Sequence, residues 1–410
     1  MLRMLVPLGL LLAIDLYFFQ IIKTSTQDLT DKWRIVWHSV FWGISILTVV
    51  TILFGSSKEV LPNHIRYYLF SLLLVLLVPK LVGVLFLIGE DAYRFVRGVI
   101  GSVSSPSEPF LADRRKFISN AALITASIPF ASMLYGMAVT AFHFSVKRKT
   151  IVFDDLPEAF DGLQIVQISD LHSGSFASDS FISSAIDEIL SLKPDLIFFT
   201  GDLVNNEATE AEPFVKQFKR LEAKLGVHSI LGNHDYGDYG PWPTKEAKAE
   251  NLERLKSVHD NSGWNLLLNE NHIVEKNGER IAIVGVENWG GSRHFPKYGD
   301  LDKAIDGAED VPFKILLSHD PSHWDAKIKA HAQKFQLTLS GHTHGAQFGI
   351  EIPGFKWSPV QYIYKQWAGL YKDKGQHIYV NRGLGFIGYM GRIGIRPEIT
   401  LLELKSGKNA

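Results

Sequence analysis

Leu163-Gln164-Ile165-Val166-Gln167-Ile168-Ser169-Asp170-Leu171-His172 is the stretch on which the fold of this chain turns. A short apolar run of this length, ending abruptly in polar residues, has the pattern of a buried strand. The same pattern recurs. Leu196–Thr200 runs into Gly201-Asp202, and Val227–Leu231 into Gly232-Asn233-His234-Asp235. Phe313–Ser318 runs into His319-Asp320, and Gln336–Ser340 into Gly341-His342-Thr343-His344. Ile281–Val286 and His377–Val380 add further strands, and Phe181–Leu192 has the spacing of an intervening helix. Strands interleaved with helices predict an α/β layered fold. Five strands then deliver Asp, His and Asn at one end of the sheet, where such folds place their ligands. The adjoining glycines let the backbone turn sharply there.

The residue types define the chemistry. The chain has no cysteine, which excludes disulfides, thiolate zinc sites and cysteine nucleophiles. Carboxylate, amide and imidazole donors suit Mn, Fe, Zn or Mg without choosing among them. One shared carboxylate is an economical way to hold two such ions about 3.5–4 Å apart for an in-line displacement.

The ordered blocks Asp170-x-His172, Gly201-Asp202, Gly232-Asn233-His234-Asp235, His319 and Gly341-His342-x-His344 resemble those of the calcineurin-like metallophosphoesterases, over roughly residues 150–405. The resemblance implies a β-sandwich of two mixed sheets flanked by helices, and two divalent metal ions. It implies that Asp170, His172 and His344 bind one ion and that Asn233, His319 and His342 bind the other, with Asp202 bridging them. His234 would stay unliganded near the scissile phosphate and, after attack by a metal-bridging hydroxide, protonate the leaving oxygen or stabilise its charge. Asp235 either orients His234 or caps a helix. Protein phosphatases of this family follow Gly-Asp with a carboxylate and an arginine. Here Leu203-Val204-Asn205-Asn206 follows, which disfavours a phosphoprotein substrate. The chain is more similar to the small bacterial branch with membrane-linked members. Ala346 stands where that branch often has glycine, and Asn381-Arg382-Gly383-Leu384-Gly385 resembles one of its late blocks. Arg382 either contacts phosphate or braces a loop.

The first third reads differently. Met4–Ile22, Ile35–Phe54, Tyr67–Ile88 and Ile118–Phe142 are each close to the roughly 20 apolar residues that cross a bilayer core as a helix. They predict an anchor over residues 1–145 ahead of a catalytic domain over 150–406, the charged Lys147–Lys149 marking the join. Asp15 and Lys80 interrupt the runs and could pair inside the bundle. Basic residues near the helix ends favour one orientation. Lys23, Lys32, Arg34, Arg94, Arg97, Arg114, Arg115 and Lys116 flank one side, against Arg3, Lys58, Arg66, Lys147, Arg148 and Lys149 on the other. That places the C-terminal domain outside the cytoplasm of a bacterial inner membrane. Asp113-Arg114-Arg115-Lys116-Phe117-Ile118 resembles a twin-arginine export signal, or is a plain basic anchor.

Overall charge is balanced, 42 Lys and Arg against 43 Asp and Glu, so nothing predicts nucleic-acid binding. The expected partners are the bilayer and a phosphate-ester substrate, with a lipid-linked or envelope compound attractive because the enzyme is tethered. Phe355, Trp357, Tyr362, Tyr364, Trp367 and Tyr371, with Lys356 and Lys365 among them, either rest at a membrane interface or pack a subdomain. Trp289-Gly290-Gly291-Ser292-Arg293 is a substrate loop or a plain turn. The rival readings are a catalytically silent metal-binding receptor or scaffold, and a transporter with an attached phosphoesterase. A complete motif set disfavours the first and sparse intramembrane polarity the second.

Overall fold

A computed structural model describes residues 2–55, 61, 63–104, 112–293 and 295–407. The chain forms two compact units, Met1–Tyr135 and Gly136–Ala410.

The first unit is helical: α1 (Leu2–Ser25), α2 (Asp31–Gly55), α3 (Asn63–Ser104) and α4 (Ala112–Ala138, which ends in the second unit). Val6–Ser25, Asp31–Leu53, His64–Val99 and Asp113–Phe142 are long and apolar enough to cross a membrane. Phe18 and Ile21 of α1, Phe41 of α2, Val84 and Leu87 of α3, and Ala122 and Ala126 of α4 form the shared core. The two intramembrane charges do meet. Lys80 Nζ lies 2.5 Å from Asp15 Oδ1 and 3.2 Å from Ser45 Oγ, so one buried cluster joins three helices. At one end of the bundle, Arg114 pairs with buried Glu90 at 2.8 Å and Arg115 with Asp91 at 3.4 Å. The paired arginines thus fasten α4 to α3. Lys58 of the charge tally lies outside the described residues.

The second unit is a sandwich of two six-stranded mixed sheets. Its strands are β1 (Ser145–Phe153), β2 (Leu163–Ile168), β3 (Leu196–Phe199), β4 (Val227–Ser229), β5 (Asn265–Leu266), β6 (Glu270–Lys276), β7 (Glu279–Gly285), β8 (Phe313–Leu317), β9 (Leu337–Ser340), β10 (Ile350–Ile352), β11 (Phe355–Trp357), β12 (Gly369–Asp373), β13 (Gln376–Val380) and β14 (Glu398–Ser406). One sheet runs β1-β14-β2-β3-β4-β5 and the other β12-β13-β9-β8-β7-β6, while β10 and β11 form a separate hairpin. Lys147, Arg148 and Lys149 lie inside β1, in register with Thr400, Leu401 and Leu402 of β14.

Side-chain alternation builds the layers. On β7, Ile281 and Ile283 point between the sheets, where they join Ile165, Phe198, Ile315 and Leu339. Ala282 and Val284 point the other way and pack under Leu301, Ala304, Ile305 and Trp324. The helix Ser180–Ser191 buries Phe181, Ile182, Ala185, Ile186 and Ile189, one face at helical spacing. β2, β3 and β4 are mutually parallel, as are β7, β8 and β9. Their C-terminal ends carry the polar blocks.

Candidate metal centre

In three of the five polar blocks the turn after the strand is tight enough to leave ordinary backbone conformations. Asp170, His172, Asp202, His342 and His344 all sit in the left-handed region, with φ of 52°, 50°, 59°, 72° and 51°. For L-residues this costs about 1–2 kcal/mol each. Such strain persists only where surrounding structure over-determines it, which is characteristic of working sites. Glycine is required beside these residues. Gly201 has φ +95°, and a Cβ there would stand 2.5 Å from Gly232 N.

The turns converge on two groups of donors. In the first, His172 Nε2 lies 3.0 Å from His344 Nε2, which lies 3.3 Å from Asp170 Oδ1. In the second, His319 Nε2 lies 3.2 Å from Asp202 Oδ2, and His342 Nδ1 lies 2.7 Å from Asn233 Oδ1. The ligand atoms of Asp170, His172 and His344 are mutually within 4.8 Å, as are those of Asp202, His319 and His342. Asp202 Oδ2 also lies 3.7 Å from His172 Nε2, so the same oxygen faces both groups. The structure therefore brings together all seven residues expected to hold metal. Their fit to divalent ions rests on the donors themselves: the buried imidazoles of His172 and His344 face one another nitrogen to nitrogen, with the carboxylates of Asp170 and Asp202 buried beside them.

Surrounding groups aim these donors. His319 donates from Nδ1 to the Thr200 carbonyl at 2.7 Å, which turns Nε2 toward Asp202. His342 Nε2 lies 2.8 Å from the Tyr364 hydroxyl, which leaves Nδ1 for the centre. Asp170 accepts from His342 N through both oxygens, at 2.9 and 3.0 Å. His234 belongs to neither donor group. Its Nδ1 lies 2.8 Å from the Asn205 carbonyl, its backbone N donates to Asp202 Oδ1 at 2.9 Å, and its ring centre is 5.0 Å from that of His172.

Asp235 performs neither of the tasks considered for it. Its buried carboxylate accepts from the backbone N–H groups of Asp202, Leu203 and Gly232 at 2.8 Å and of Val204 at 3.2 Å. It therefore clamps the turn that carries Asp202, and the Asn205 carbonyl orients His234. Arg382 also braces structure: it is buried and ion-paired with Glu398 and with Glu351. Trp289 stacks on His323, and Gly291 N donates to Ser322 Oγ at 2.8 Å, which holds the Trp289–Gly291 turn in place.

Several participants were not foreseen from sequence. Arg392 is fully buried behind the first donor group, with Nη2 at 3.4 Å from His344 Nδ1. It donates to the carbonyls of Arg382, Gly383 and Gly385. Tyr239 accepts from Asn233 Nδ2 at 2.9 Å and packs its ring 4.5 Å from that of His234. Tyr364 was visible only as one member of an aromatic cluster. Asp320, buried with Oδ2 lacking a hydrogen-bond partner among the described residues, lies 3.6 Å from His342 Nε2.

Electrostatics sort the imidazoles. Burial pushes His172 down to about 3, against the pull of Asp202, and burial with neighbouring His172 and Arg392 holds His344 well below its ordinary value. Both are neutral at physiological pH, the form that ligates metal. Burial alone would raise Asp202, but the charges of His319 and His234 hold it well below the usual carboxylate range. Burial opposes a charge on His319, and Asp202 and Asp170 overcome it, lifting the imidazole to about 10. Asp170 is raised to about 6, by burial and by repulsion from Asp202, while His319 opposes the shift.

Hard and borderline donors converging at strand ends, with a further histidine beside them, are the donor set of a metal-dependent hydrolase site. Comparison with known proteins makes the class specific. Residues 2–141 match the family model for the probable calcineurin-like phosphoesterase transmembrane domain, and residues 163–346 the model for calcineurin-like phosphoesterases. The chain is 33% identical over 261 residues to the uncharacterized metallophosphoesterase YkuE of Bacillus subtilis, covering 63% of this chain and 84% of that one. It is 29% identical over 301 residues to the phosphodiesterase YaeI of Escherichia coli, covering 72% of this chain and all of the relative. It is 30% identical over 303 residues to the UDP-2,3-diacylglucosamine pyrophosphatase LpxG of Chlamydia trachomatis, covering 61% and 86%. The chain belongs to the calcineurin-like phosphoesterase family, as a membrane protein whose metal-dependent hydrolase domain follows a four-helix transmembrane region.

Proposed function

We propose that this protein is a two-metal phosphoesterase acting on a phosphodiester or pyrophosphate bond, with phosphomonoesters as further candidates, in a lipid-linked or envelope substrate. On this reading residues 1–145 anchor it in a bacterial inner membrane, and residues 150–406 act outside the cytoplasm. The names of YaeI and LpxG, a phosphodiesterase and a pyrophosphatase of an acylated sugar nucleotide, support the choice of bond and substrate class. The basic residues near the helix ends support the orientation.

Asp170, His172 and His344 would hold one ion and Asn233, His319 and His342 the other, with Asp202 shared. The observation that carries this is Asp202 Oδ2, which faces His319 at 3.2 Å and His172 at 3.7 Å. Bound divalent ions, Mn, Fe, Zn or Mg, supply Lewis acidity, making water nucleophilic at neutral pH and drawing charge from the phosphoryl oxygens. The chain supplies the rest. Asp235 fixes the turn that aims Asp202. The Asn205 carbonyl accepts the Nδ1 proton of His234, so Nε2 is the nitrogen free to carry a second proton to the leaving oxygen. Tyr364 and the Thr200 carbonyl keep His342 and His319 turned toward the donor centre.

The test is turnover by the purified full chain with Mn²⁺, first on bis-p-nitrophenyl phosphate and then on lipid, nucleotide and sugar-phosphate panels. Activity on the chromogenic diester is expected. Bound metal without turnover on any panel would show a silent receptor or scaffold instead. Alkaline phosphatase fused to the C-terminus is expected to be active, and an inactive fusion would reverse the orientation.

A further inference from the structure

Between the metal-ligand candidate His344 and the hydroxyl of Tyr364, the chain leaves the sandwich and returns. The excursion carries the hairpin β10–β11, closed by the turn Pro353–Gly354 with Gly354 at φ +80°. Register gives the hairpin two unlike faces. Ile350 pairs with Trp357 and Ile352 with Phe355, so these four share one face, while Glu351 and Lys356 share the other.

The charged face is tied down. Glu351 Oε1 accepts from Lys147 Nζ at 2.9 Å and from Arg382 Nη2 at 3.0 Å, and Lys356 donates to the Ala368 carbonyl. The apolar face is open to solvent. Ile352 is 58% exposed and Phe355 53%, and the adjoining Tyr362 and Ile363 are 76% and 79% exposed. Of the ten exposed large apolar side chains among the described residues of the second unit, six fall within residues 348–363. A concentration of this kind marks an interaction surface and is not the scatter found on ordinary surfaces.

We propose that this hairpin is a membrane-docking element, inserting the Ile352–Phe355 tip into the interfacial region of the bilayer and so presenting the metal centre to phosphoesters in the lipid plane. The occupant follows from how the hairpin is rooted. Gly349 N donates to the Ile393 carbonyl at 2.9 Å, and the adjacent Arg392 N donates to the carbonyl of Gly136 at 3.2 Å. Gly136 is the first residue of the second unit and lies inside the apolar segment that ends at Phe142. Lys147, which grips Glu351, is five residues beyond that end, within about 17 Å even for fully extended chain. The hairpin is therefore fastened to Gly136 and Lys147, which bracket the end of the last apolar segment. Aliphatic and aromatic side chains backed by lysine suit the headgroup–acyl boundary. The inference deepens the proposed lipid-phosphoester reading, on which its catalytic consequence rests, but the docking itself needs no turnover.

The absence of cysteine makes single-site labelling direct. Full-length Ile352→Cys, carrying a nitrobenzoxadiazole label, is reconstituted in phosphatidylethanolamine–phosphatidylglycerol nanodiscs containing doxyl-labelled phosphatidylcholine. Lys224→Cys, at a side chain 84% exposed, is the control. Quenching at position 352 is expected to exceed that at position 224 at least threefold. Equal quenching would overturn the proposal, as would an oxidant-induced dimer through position 352, which would make a second copy the occupant. The Ile352→Glu, Phe355→Glu double variant is expected to lose about tenfold in rate on whichever phospholipid the wild type hydrolyses in nanodiscs, with bis-p-nitrophenyl phosphate turnover unchanged. Equal losses on both substrates would contradict docking. Strong quenching in a protein that hydrolyses nothing would leave docking standing and reject the phosphoesterase reading alone.

Discussion

The two donor groups lie side by side yet are held in different ways. Asp170 and His172 are fixed by the backbone of the sandwich: Asp170 N donates to the Gly201 carbonyl, His172 N to the Asp202 carbonyl, and Gly385 N to the Asp170 carbonyl. Arg392 closes the rear of that group, and Asp170 and His172 are fully buried. In the second group Asn233 leans on Tyr239, and His342 leans on Tyr364 and packs against Phe295 at 4.8 Å. Those partners come from excursions at the edge of the domain, and Tyr239 is 48% exposed. Asp170 and His172 of the first group are thus set by the backbone of the fold, and Asn233 and His342 of the second by aromatic side chains.

On the proposed reading His234 ligates neither metal, so His234→Ala is expected to cost two to four orders of magnitude in turnover, roughly the worth of a general acid, while both metals stay bound. Loss of metal on this change would mean His234 is a ligand. Arg392→Met strips hydrogen bonds from three buried carbonyls behind the first group. We expect destabilisation on the order of 3 kcal/mol, seen as an earlier thermal unfolding transition, with the first equivalent of metal weakened most. An unchanged transition would show that the rear wall does not hold the group. Tyr364→Phe leaves His342 Nε2 without its partner. The second metal equivalent is expected to weaken about tenfold in a Mn²⁺ titration, with kcat restored at saturating metal. Weakening of both equivalents alike would erase the distinction between the groups. The smallest effect concerns Ala346, held at φ +53° just beyond His344. Ala346→Gly relieves a left-handed alanine and is expected to stabilise the domain by about 0.5–1 kcal/mol, read as a small rise in the thermal transition.

How much of this was legible in the sequence differs along the same line. Strand interiors and their polar ends were readable because a buried strand is apolar and a ligand must be a particular residue type. Leu163–Ser169 and Phe313–Ser318 match β2 and β8 to within a residue. The apolar runs of the first third were equally plain, and the pairing of Asp15 with Lys80 could be anticipated because an isolated charge there is costly. What supports the ligands was less legible. The Thr200 and Asn205 carbonyls act through backbone atoms, which leave no trace in residue identity. Asp235 looked like a partner for its neighbour His234, yet it serves four N–H groups brought close only by the fold. Arg392 lies 48 residues from His344, and no spacing rule connects them. The aromatic stretch divided in a way composition could not foretell: Trp367 packs into a small core with Val360 and Ile395, whereas Phe355 and Tyr362 stay exposed.

On the proposed reading one carboxylate, that of Asp202, joins two metal sites. Metal content of the purified full chain, measured by inductively coupled plasma mass spectrometry after Mn²⁺ loading and desalting and set beside the turnover rate, tests it most directly. The wild type is expected to retain two equivalents, and Asp202→Asn one at most with turnover abolished. Two equivalents and an undiminished rate in Asp202→Asn would contradict the account.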